Sequence, residues 1–272
     1  MQEVDLQPSP GILAAAIARV LQQNSIAALA TLIEGRGQIG SKLLVEETGV
    51  RSGSLGEADL DEVAASYTKT FLNSRAEART FKLEEIVSGQ QTQLEGRVLF
   101  ERIEPEPRLV ICGAGHVGAS LAQLASLIGY RTVLIDDRAD FVTRRRFPNE
   151  NIELVTASSW TDALRESIGG GRGVFVAVVT RGHNEDEECM HAVMSTRPDY
   201  VGLIGSRRRT NIVLDRLREA RVDEELLSEI RAPIGLNIGA VSPQEVALAI
   251  LAEIVASRRG GSSEPLSAWR RL

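Results

Sequence analysis

Residues 109–118, Leu-Val-Ile-Cys-Gly-Ala-Gly-His-Val-Gly, decide the fold of the C-terminal part of the chain. The apolar run predicts a buried strand, the glycines a tight turn, and Val117–Ile128 a helix. Gly113 permits the turn, Gly115 lets backbone amides approach a pyrophosphate, and Gly118 lets the helix pack closely on the strand. The helix N terminus adds partial positive charge. The stretch therefore predicts a binding site for a nucleotide-type ligand.

A second predicted strand, Arg131–Ile135, strengthens this interpretation because it ends in two acidic residues. Asp136 follows Gly113 by 23 positions. This separation is near the roughly 20 positions typical of an acid that hydrogen-bonds a ribose hydroxyl. The alternative is a strand, turn and helix that bind no ligand. The combination of strand, helix and acid favours a nucleotide-type half-site.

The pattern after Arg108 alternates between strands and helices, which predicts an α/β fold with a Rossmann-like, doubly wound parallel sheet. The predicted strands are Leu109–Cys112, Arg131–Ile135, Ile152–Val155, Val174–Val179 and Tyr200–Ile204. The predicted helices after the first are Trp160–Ile168, Asp186–Met194, Arg207–Ala220 and Pro243–Arg258. We expect this domain to span residues 108–258, with a flexible tail over residues 259–272.

The N-terminal part, residues 1–104, has a different pattern and predicts a smaller α+β domain. Glu104-Pro-Glu-Pro107 breaks regular structure and marks the boundary. Helices are predicted over Ile12–Gln22 and Leu60–Asn73. Strands are predicted over Ser25–Ile33, Lys42–Glu46, Val50–Ser54, Thr80–Ile86 and Gly96–Ile103.

Composition excludes several classes of function. The net charge of −6 and a pI near 5.3 argue against non-specific binding of nucleic acid. No apolar run approaches the roughly 20 residues of a membrane span. The N terminus lacks the basic start and apolar core of a signal peptide. The two cysteines, Cys112 and Cys189, give no disulfide framework and suit a reducing compartment. We therefore expect a cytoplasmic protein.

Polar residues follow each predicted strand of the parallel sheet, where ligands bind in such folds. Gly205-Ser206 opens a helix with three arginines behind it, which is typical of an anion site. Consecutive arginines on a helix diverge, so one or two of them are expected to be solvated or paired. The candidate cofactor-binding residues are Gly113, Gly115, His116, Gly118, Asp136, Asp137, Arg138, Thr180, His183, Gly205, Ser206 and Arg207.

A metal site is a weaker interpretation of the same residues. His116, His183 and either Asp186 or Glu187 have suitable donor chemistry. The chain lacks a characteristic spacing of ligands, and the acids after His183 also suit a helix N terminus, so we predict no metal. Neither cysteine has a setting that stabilises a thiolate. No catalytic residue is assigned.

In these motifs the chain resembles the XdhC/CoxI family, accessory proteins of molybdenum hydroxylases such as xanthine dehydrogenase and carbon monoxide dehydrogenase. The matching motifs are GAGHVG at 113–118, DDR at 136–138, RFPN at 146–149, TRGHNEDEE at 180–188, YVGLIGSRRR at 200–209 and APIGLNIGAVSPQEVALAILAEIVASR at 232–258. The resemblance implies a Rossmann-like domain that binds molybdenum cofactor (molybdopterin). It also implies protection of that cofactor during sulfuration with a cysteine desulfurase, and delivery to an apo-hydroxylase.

The N-terminal part departs from the family pattern. Gly37-Gln-Ile-Gly40 and Leu43-Leu-Val45 stand where relatives carry a Ser-Pro-Arg-type loop and a Met-Leu-Val strand. In the turn over residues 53–61 the family cysteine is absent, and Ala58 lies about where it would fall. No role of that thiol in cofactor or sulfur handling transfers to this chain.

Two other classes of function stay open at this stage. The fingerprint and Asp136 alone fit an NAD(P)-dependent oxidoreductase, which would need an acid/base pair beyond His183. A scaffold whose Rossmann domain has lost its ligand is the other alternative. From the resemblance we expect a chaperone that binds the cofactor rather than an enzyme that turns over a substrate. The small N-terminal layer leaves sheet edges that a second copy can cover, so a homodimer is expected.

Overall fold

The computed structural model describes residues 10–87 and 95–267, and these form two compact units. The chain divides between Pro105 and Glu106. The first residues and residues 268–272 of the expected tail lie outside the described part.

The N-terminal unit is a five-stranded antiparallel sheet with helices on both faces. Its strand order is β3-β2-β1-β5-β4, so β3 and β4 are the two edges. The elements are α1 (Pro10–Gln22), β1 (Ala27–Gly35), β2 (Lys42–Glu46), β3 (Arg51–Ser54), α2 (Ala58–Asn73), β4 (Ala78–Lys82), α3 (Leu83–Ile86) and β5 (Gly96–Ile103).

Alternation along the central strand explains the two layers of this unit. Ala27 and Leu29 of β1 pack with Ala16 and Val20 of α1. The intervening β1 residues face a second cluster that includes Leu60 of α2. Because successive strand residues point to opposite faces, a single apolar strand supports both helical layers.

One predicted strand of this unit is wrong in its second half. The segment predicted as a strand over Thr80–Ile86 is extended only to Lys82 and then forms the helical turn α3. Leu83 and Ile86 are both buried, and a spacing of three places them on one side of a helical turn. The Glu85 side chain accepts the amide of Lys82 at 3.2 Å and fixes the start of the turn.

The C-terminal unit has five parallel strands in the order β10-β9-β6-β7-β8, the doubly wound order. This confirms the predicted fold class. The elements are β6 (Arg108–Cys112), α4 (His116–Leu127), β7 (Arg131–Asp136), β8 (Ile152–Thr156), α5 (Trp160–Ile168), β9 (Val174–Val178), α6 (His183–Thr196), β10 (Tyr200–Leu203), α7 (Arg207–Glu219), α8 (Glu224–Glu229) and α9 (Pro243–Arg259).

The parallel sheet is covered on both faces, which explains its nearly continuous apolar strands. Leu109 and Ile111 of β6 pack with Leu121 of α4 and Ile250 of α9. Val110 and Cys112 face the opposite layer, which is built by α5, α6, α7 and α8. The site residues therefore follow strands that are held rigidly from both sides.

Some elements of this unit differ from the sequence prediction. Helix α8 and a 3-10 helix over Ala139–Phe141 are unpredicted. Helix α6 begins at His183 rather than Asp186, because the acidic segment forms its first turn. Helix α9 ends at Arg259, so its last residue lies in the segment expected to be the tail. None of the helices in the described ranges is long and apolar enough to cross a membrane.

Candidate functional site at the carboxyl edge of the parallel sheet

The candidate site lies where the strand order reverses. From β6 the chain proceeds through β7 and β8 on one side, and then through β9 and β10 on the other. The connections after β6 and β9 diverge to opposite faces, which opens a crevice at the carboxyl ends of these strands. The glycine turn of residues 113–118 follows β6 and lies at this crevice.

The three glycines of the turn have different surroundings. A Cβ at Gly113 would lie 2.7 Å from the Val179 carbonyl oxygen, and the φ of Gly113 is +109°. A Cβ at Gly118 would collide with the backbone carbonyl of Gly113. A Cβ at Gly115 would meet no atom within 4 Å. Gly113 and Gly118 are thus required for packing, whereas the space beside Gly115 is open to a ligand.

The carboxylate of Asp136 is fully engaged within the protein. Its Oδ2 accepts the Ala114 amide at 2.7 Å, and its Oδ1 accepts the Arg138 amide at 3.0 Å. The guanidinium of Arg138 also donates to both oxygens, through Nε at 2.8 Å and Nη2 at 2.9 Å. In this arrangement neither oxygen is available to a ribose hydroxyl.

The pKa of Asp136 follows from these contacts. Burial by itself would raise the pKa, since the side chain is almost fully enclosed. The hydrogen bonds from the Arg138 side chain and amide, and from the Ala114 amide, outweigh burial and lower the pKa of Asp136 to about 2. The carboxylate is therefore ionised at all physiological pH values and binds the glycine turn to the segment after β7.

Aromatic contacts fix the same segment further. The guanidinium of Arg138 lies 3.5 Å from the centre of the Phe141 ring, and that of Arg146 lies 4.7 Å from it. Arg146 also donates to the carbonyls of Phe141 at 2.7 Å and Ala114 at 3.3 Å. Two arginines thus enclose one aromatic ring and tie it to the glycine turn.

The second acid after β7, Asp137, pairs with a residue of the loop after β9. Arg181 donates to Asp137 through Nη2 at 2.9 Å and Nη1 at 3.2 Å. Its Nε also lies 3.3 Å from Glu185 Oε1. Side chains of Arg181 and Asp137 are 48% and 33% exposed. This pair is more accessible to solvent than the Asp136–Arg138 pair.

A third carboxylate, Asp186, is fully buried in the first turn of α6. It accepts the hydroxyl of Thr180 at 2.5 Å and a fork of two N–H groups from Arg209 of α7. Burial raises the pKa of Asp186 in spite of these hydrogen bonds and the positive charge of Arg209. The Thr180 hydroxyl and Arg209 are therefore committed to fixing α6 against α7.

The start of α7 leaves two arginines accessible. Ser206 caps the helix by accepting the Arg209 amide at 3.3 Å. Arg207 and Arg208 are exposed, and neither pairs with an acid in the part of the chain that the structure describes. His116 and His183 are the exposed first residues of α4 and α6. These side chains are available to a ligand at the carboxyl edge.

Neither thiol is presented to that edge. Cys112 and Cys189 are both fully buried. Burial raises the pKa of the Cys189 thiol, and its contact with the Cys112 thiol acts in the same direction. Within residues 10–87 and 95–267 no three side chains of His, Cys, Asp or Glu form a group that could hold a metal ion.

The candidate residues chosen from the sequence lie at the carboxyl edge of the parallel sheet, but the sequence did not show which of them are already paired within the protein. Arg146 and Arg181 were not singled out as site residues, and Arg209 was considered only as one of the three arginines after Ser206, although each contacts a candidate residue or its neighbour. The pairing of Asp136 with Arg138 had a local signal, since the two residues are only two positions apart. The contacts of Arg181 and Arg209 join segments 44 and 23 positions apart and leave no local signal.

The doubly wound parallel sheet, with a glycine turn at its switch point and an acid after the second strand, defines a Rossmann-type domain. Residues 109–254, more than half of the chain, match the family described as the XdhC Rossmann domain. The chain belongs to the XdhC family, as its motifs predict.

Two relatives with descriptive names are among the known proteins that this chain resembles. A probable xanthine dehydrogenase component from Bacillus subtilis is 30% identical over 60% of this chain and 46% of its own length. The "molybdenum cofactor insertion chaperone PaoD" from Escherichia coli is 27% identical over 57% of this chain and 41% of its own length. The chain thus spans less than half the length of these curated relatives.

A solved structure supports the fold across both units. It is a crystal structure described as a xanthine dehydrogenase from Bacillus halodurans, with a TM-score of 0.65. The match covers 93% of this chain and 69% of that chain at 22% identity. At this identity the likeness concerns the fold.

Proposed function

We propose that this chain binds molybdenum cofactor and assists its insertion into a molybdenum hydroxylase of the xanthine dehydrogenase type. Membership of the XdhC family and the likeness to a molybdenum cofactor insertion chaperone support the proposal. Two structural observations support it most directly: a Cβ at Gly115 would meet no atom within 4 Å, and both carboxylate oxygens of Asp136 already accept hydrogen bonds from the protein.

The residues at this edge fit the phosphate and the ring of molybdopterin. Helix α4 has no side-chain cap at Gly115, so its first amides have no side-chain acceptor and are available to an anion. Arg207, Arg208 and His183 are exposed and have donors for phosphate or for the edges of a pterin ring. When bound, the cofactor supplies the molybdenum chemistry, and the chain's own residues bind and shield it.

The dinucleotide alternative fits the structure less well. The glycine turn favours it, because the same turn binds the pyrophosphate of NAD(P) in many Rossmann domains. The acid that would hold the ribose instead accepts hydrogen bonds from Ala114 and Arg138. Binding of NAD(P)H would first have to break a buried, charge-assisted fork. We therefore propose no steady-state oxidation of NAD(P)H by this protein.

A source of sulfur outside this chain follows from the burial of both thiols. Because Cys112 and Cys189 are enclosed and a thiolate is disfavoured at Cys189, neither is suited to carry sulfur to the cofactor. We propose that a cysteine desulfurase delivers sulfur to the cofactor while this protein holds it. Two buried, unpaired cysteines also suit the cytoplasmic location that we propose.

The N-terminal unit supports the proposal of a homodimer. Its sheet ends in β3 and β4, whose outer backbone groups have no strand partner within this sheet. A second copy pairing on one of these edges would satisfy them. Light scattering at micromolar concentration is expected to give twice the mass of 29.5 kDa, and a value near the single mass would contradict a stable dimer.

Reconstitution tests the central proposal. Apo-hydroxylase, molybdenum cofactor and a sulfur donor are mixed with and without this protein at matched cofactor concentration. We expect a larger active fraction with the protein, and a smaller gain with Arg207→Ala or His183→Ala. Arg216→Ala serves as control, because Arg216 lies on the same helix as Arg207 but pairs with Glu187. Equal activation with and without the protein would overturn the proposal.

A further inference from the structure

We propose that Arg181 binds the anionic group of the ligand at the mouth of the crevice, exchanging Asp137 for that anion. The inference rests on the proposed function for the identity of the natural ligand. The exchange itself concerns any phosphate-like anion and has a test of its own.

The position of the Asp137–Arg181 pair is the first argument. Asp137 directly follows β7, and Arg181 lies in the loop after β9. Strand β6 lies between these two strands, so the pair joins the two sides of the carboxyl end of β6. The open space beside Gly115 begins at the same strand end. A ligand that reaches the glycine turn therefore enters next to this ion pair.

The other arginines near the turn are committed to acceptors inside the protein. Arg138 donates two side-chain hydrogen bonds to the enclosed Asp136, and Arg146 donates to two backbone carbonyls. Arg209 forks onto the fully buried Asp186. Breaking the contacts of Arg138 or Arg209 would leave a buried carboxylate without its partner, and Arg146 is held in addition by the rings of Phe141 and Phe147. Arg181 is different, because both of its acceptors are accessible to solvent.

Distance along the sheet separates Arg181 from the arginines of α7. Neighbouring strands lie about 4.8 Å apart, and β10 is the second strand from β6 whereas β9 is the first. Arg207 and Arg208 follow β10, so they are placed to contact a part of the ligand that lies further from the glycine turn. Arg181 follows β9, so its guanidinium is nearer to an anion bound at the amides after Gly115.

The free energy of the Asp137–Arg181 ion pair is small enough for a bound phosphate to replace Asp137 as the partner of Arg181. An exposed pair such as Asp137–Arg181 contributes only about 0–1 kcal/mol, because water screens both charges. A phosphate offers the same guanidinium two or three oxygens of higher charge in a fork geometry. Arg181 can keep its contact with Glu185, four positions further along the chain, while it turns away from Asp137. Glu185 thus holds the guanidinium at the crevice in both arrangements.

Calorimetric titration of the full chain with inorganic pyrophosphate tests this exchange. Asp137→Asn removes the competing charge, and we expect binding about threefold to fivefold tighter than in the wild type. Arg181→Ala removes the fork, and we expect binding at least about tenfold weaker. Arg181→Lys keeps the charge without the fork and should fall between wild type and Arg181→Ala.

The matched control is the Glu187–Arg216 pair, whose exposure is similar at 31% and 44%. Glu187→Gln and Arg216→Ala change the net charge in the same way, but Glu187 and Arg216 belong to helices α6 and α7 and not to the segments that directly follow β7 and β9. We expect no change in pyrophosphate binding for either. Equal shifts in the control and test pairs would show a general charge effect and overturn the proposal.

Further outcomes separate this inference from the proposed function. No binding of pyrophosphate by the wild type, or weaker binding in both Asp137→Asn and Arg181→Ala, would overturn the exchange. A parallel titration with molybdenum cofactor tests the ligand. If pyrophosphate shows the expected pattern and the cofactor does not bind, the proposed function fails while the exchange at Arg181 stands.

Discussion

The hydroxyl of Tyr200 donates to Glu253 Oε2 at 2.6 Å, and the same oxygen accepts the amide of Gly235 at 2.8 Å. Tyr200 belongs to β10, Gly235 to the loop before α9, and Glu253 to α9 itself. One carboxylate thus fixes the loop over residues 232–240 to both the sheet and the helix. Burial and the hydrogen bond to Glu253 raise the pKa of Tyr200, so this hydroxyl stays protonated.

Loss of this acceptor should destabilise the C-terminal unit. Glu253→Ala leaves a buried hydroxyl and an amide without their acceptor, and we expect the free energy of unfolding to fall by about 2–4 kcal/mol. Tyr200→Phe removes only the donor and should cost about 1–2 kcal/mol. Urea unfolding followed by the fluorescence of the buried Trp160, in a Trp269→Phe background, reports on this unit. A larger loss for Tyr200→Phe than for Glu253→Ala would contradict this account.

The Asp136–Arg138 fork predicts a specific dependence of stability on pH. The folded-state pKa of Asp136 is about 2, below its ordinary value of 3.8. A lowered carboxylate pKa gives stability that is complete above about pH 4 and is lost as the pH falls toward 2. We expect Asp136→Asn to lower the free energy of unfolding by about 2 kcal/mol at pH 7.

The difference between wild type and Asp136→Asn should shrink when urea unfolding is repeated at successively lower pH between 4 and 2.5. The exposed Asp140, four residues away, provides Asp140→Asn as a control with little effect at any pH. A difference that stays constant from pH 7 to pH 2.5 would show that the ionised fork is not the source of the stability.

The buried Asp186 predicts the opposite dependence on pH. Arg209→Met removes its cationic partner and leaves a fully buried carboxylate, at a cost of about 3 kcal/mol at pH 8. Burial already raises the pKa of Asp186, and loss of Arg209 should raise it further. The folded variant then binds a proton more tightly than the unfolded chain, so its stability rises as the pH falls.

Unfolding of Arg209→Met at pH 8 and pH 5 measures this effect, and the deficit should be smaller at pH 5. The double variant Asp186→Asn with Arg209→Met should recover part of the stability at pH 8, because the uncompensated charge is gone. Arg216→Met removes an exposed pair and should cost less than about 1 kcal/mol at both pH values. A deficit that grows at low pH would contradict the assignment of Asp186 as the buried charge.

The sequence predicted the parallel sheet because its signals are local. The apolar strands, the glycine turn and the Ser242 cap with Pro243 at the start of α9 each lie within a few residues of one another. The capping box of Ser242 and Glu245, with bonds at 3.2 and 2.7 Å, is one such local device. The positions of most strands and helices in the C-terminal unit could therefore be predicted from the local sequence pattern.

The state of the candidate site was less predictable, because it depends on which charges meet across the fold. Asp136 fits the ribose position by its spacing, yet the structure pairs it with Arg138. Thr180 and Arg209 belong to segments that the sequence predicts to contact a ligand, yet the side chains of both donate hydrogen bonds to Asp186. Burial determines these pairings, because an enclosed carboxylate requires hydrogen-bond donors from the protein. Whether a given residue is buried depends on how the whole C-terminal unit packs, so the local sequence does not reveal it.

Two glycines of the turn separate packing from binding and give the last prediction. A Cβ at Gly118 would strike the carbonyl of Gly113, which β6 and α4 hold in place. We expect Gly118→Ala to lower the free energy of unfolding by about 3 kcal/mol. A Cβ at Gly115 meets no atom within 4 Å, and the φ of −66° suits any residue. Gly115→Ala should cost less than about 1 kcal/mol, as an ordinary change at a helix cap.

A substitution at Gly115 should weaken ligand binding although it hardly changes stability. Gly115→Val fills the open space, so we expect binding of molybdenum cofactor or pyrophosphate to fall at least about tenfold while the unfolding transition changes little. Circular dichroism and urea unfolding establish the fold of each variant, and calorimetric titration at a temperature where both are folded measures binding. Wild-type affinity in Gly115→Val would place the anion site elsewhere in the molecule. The amides after Gly115 would then be excluded as its donors, because a branched side chain at that position blocks their approach to a phosphate.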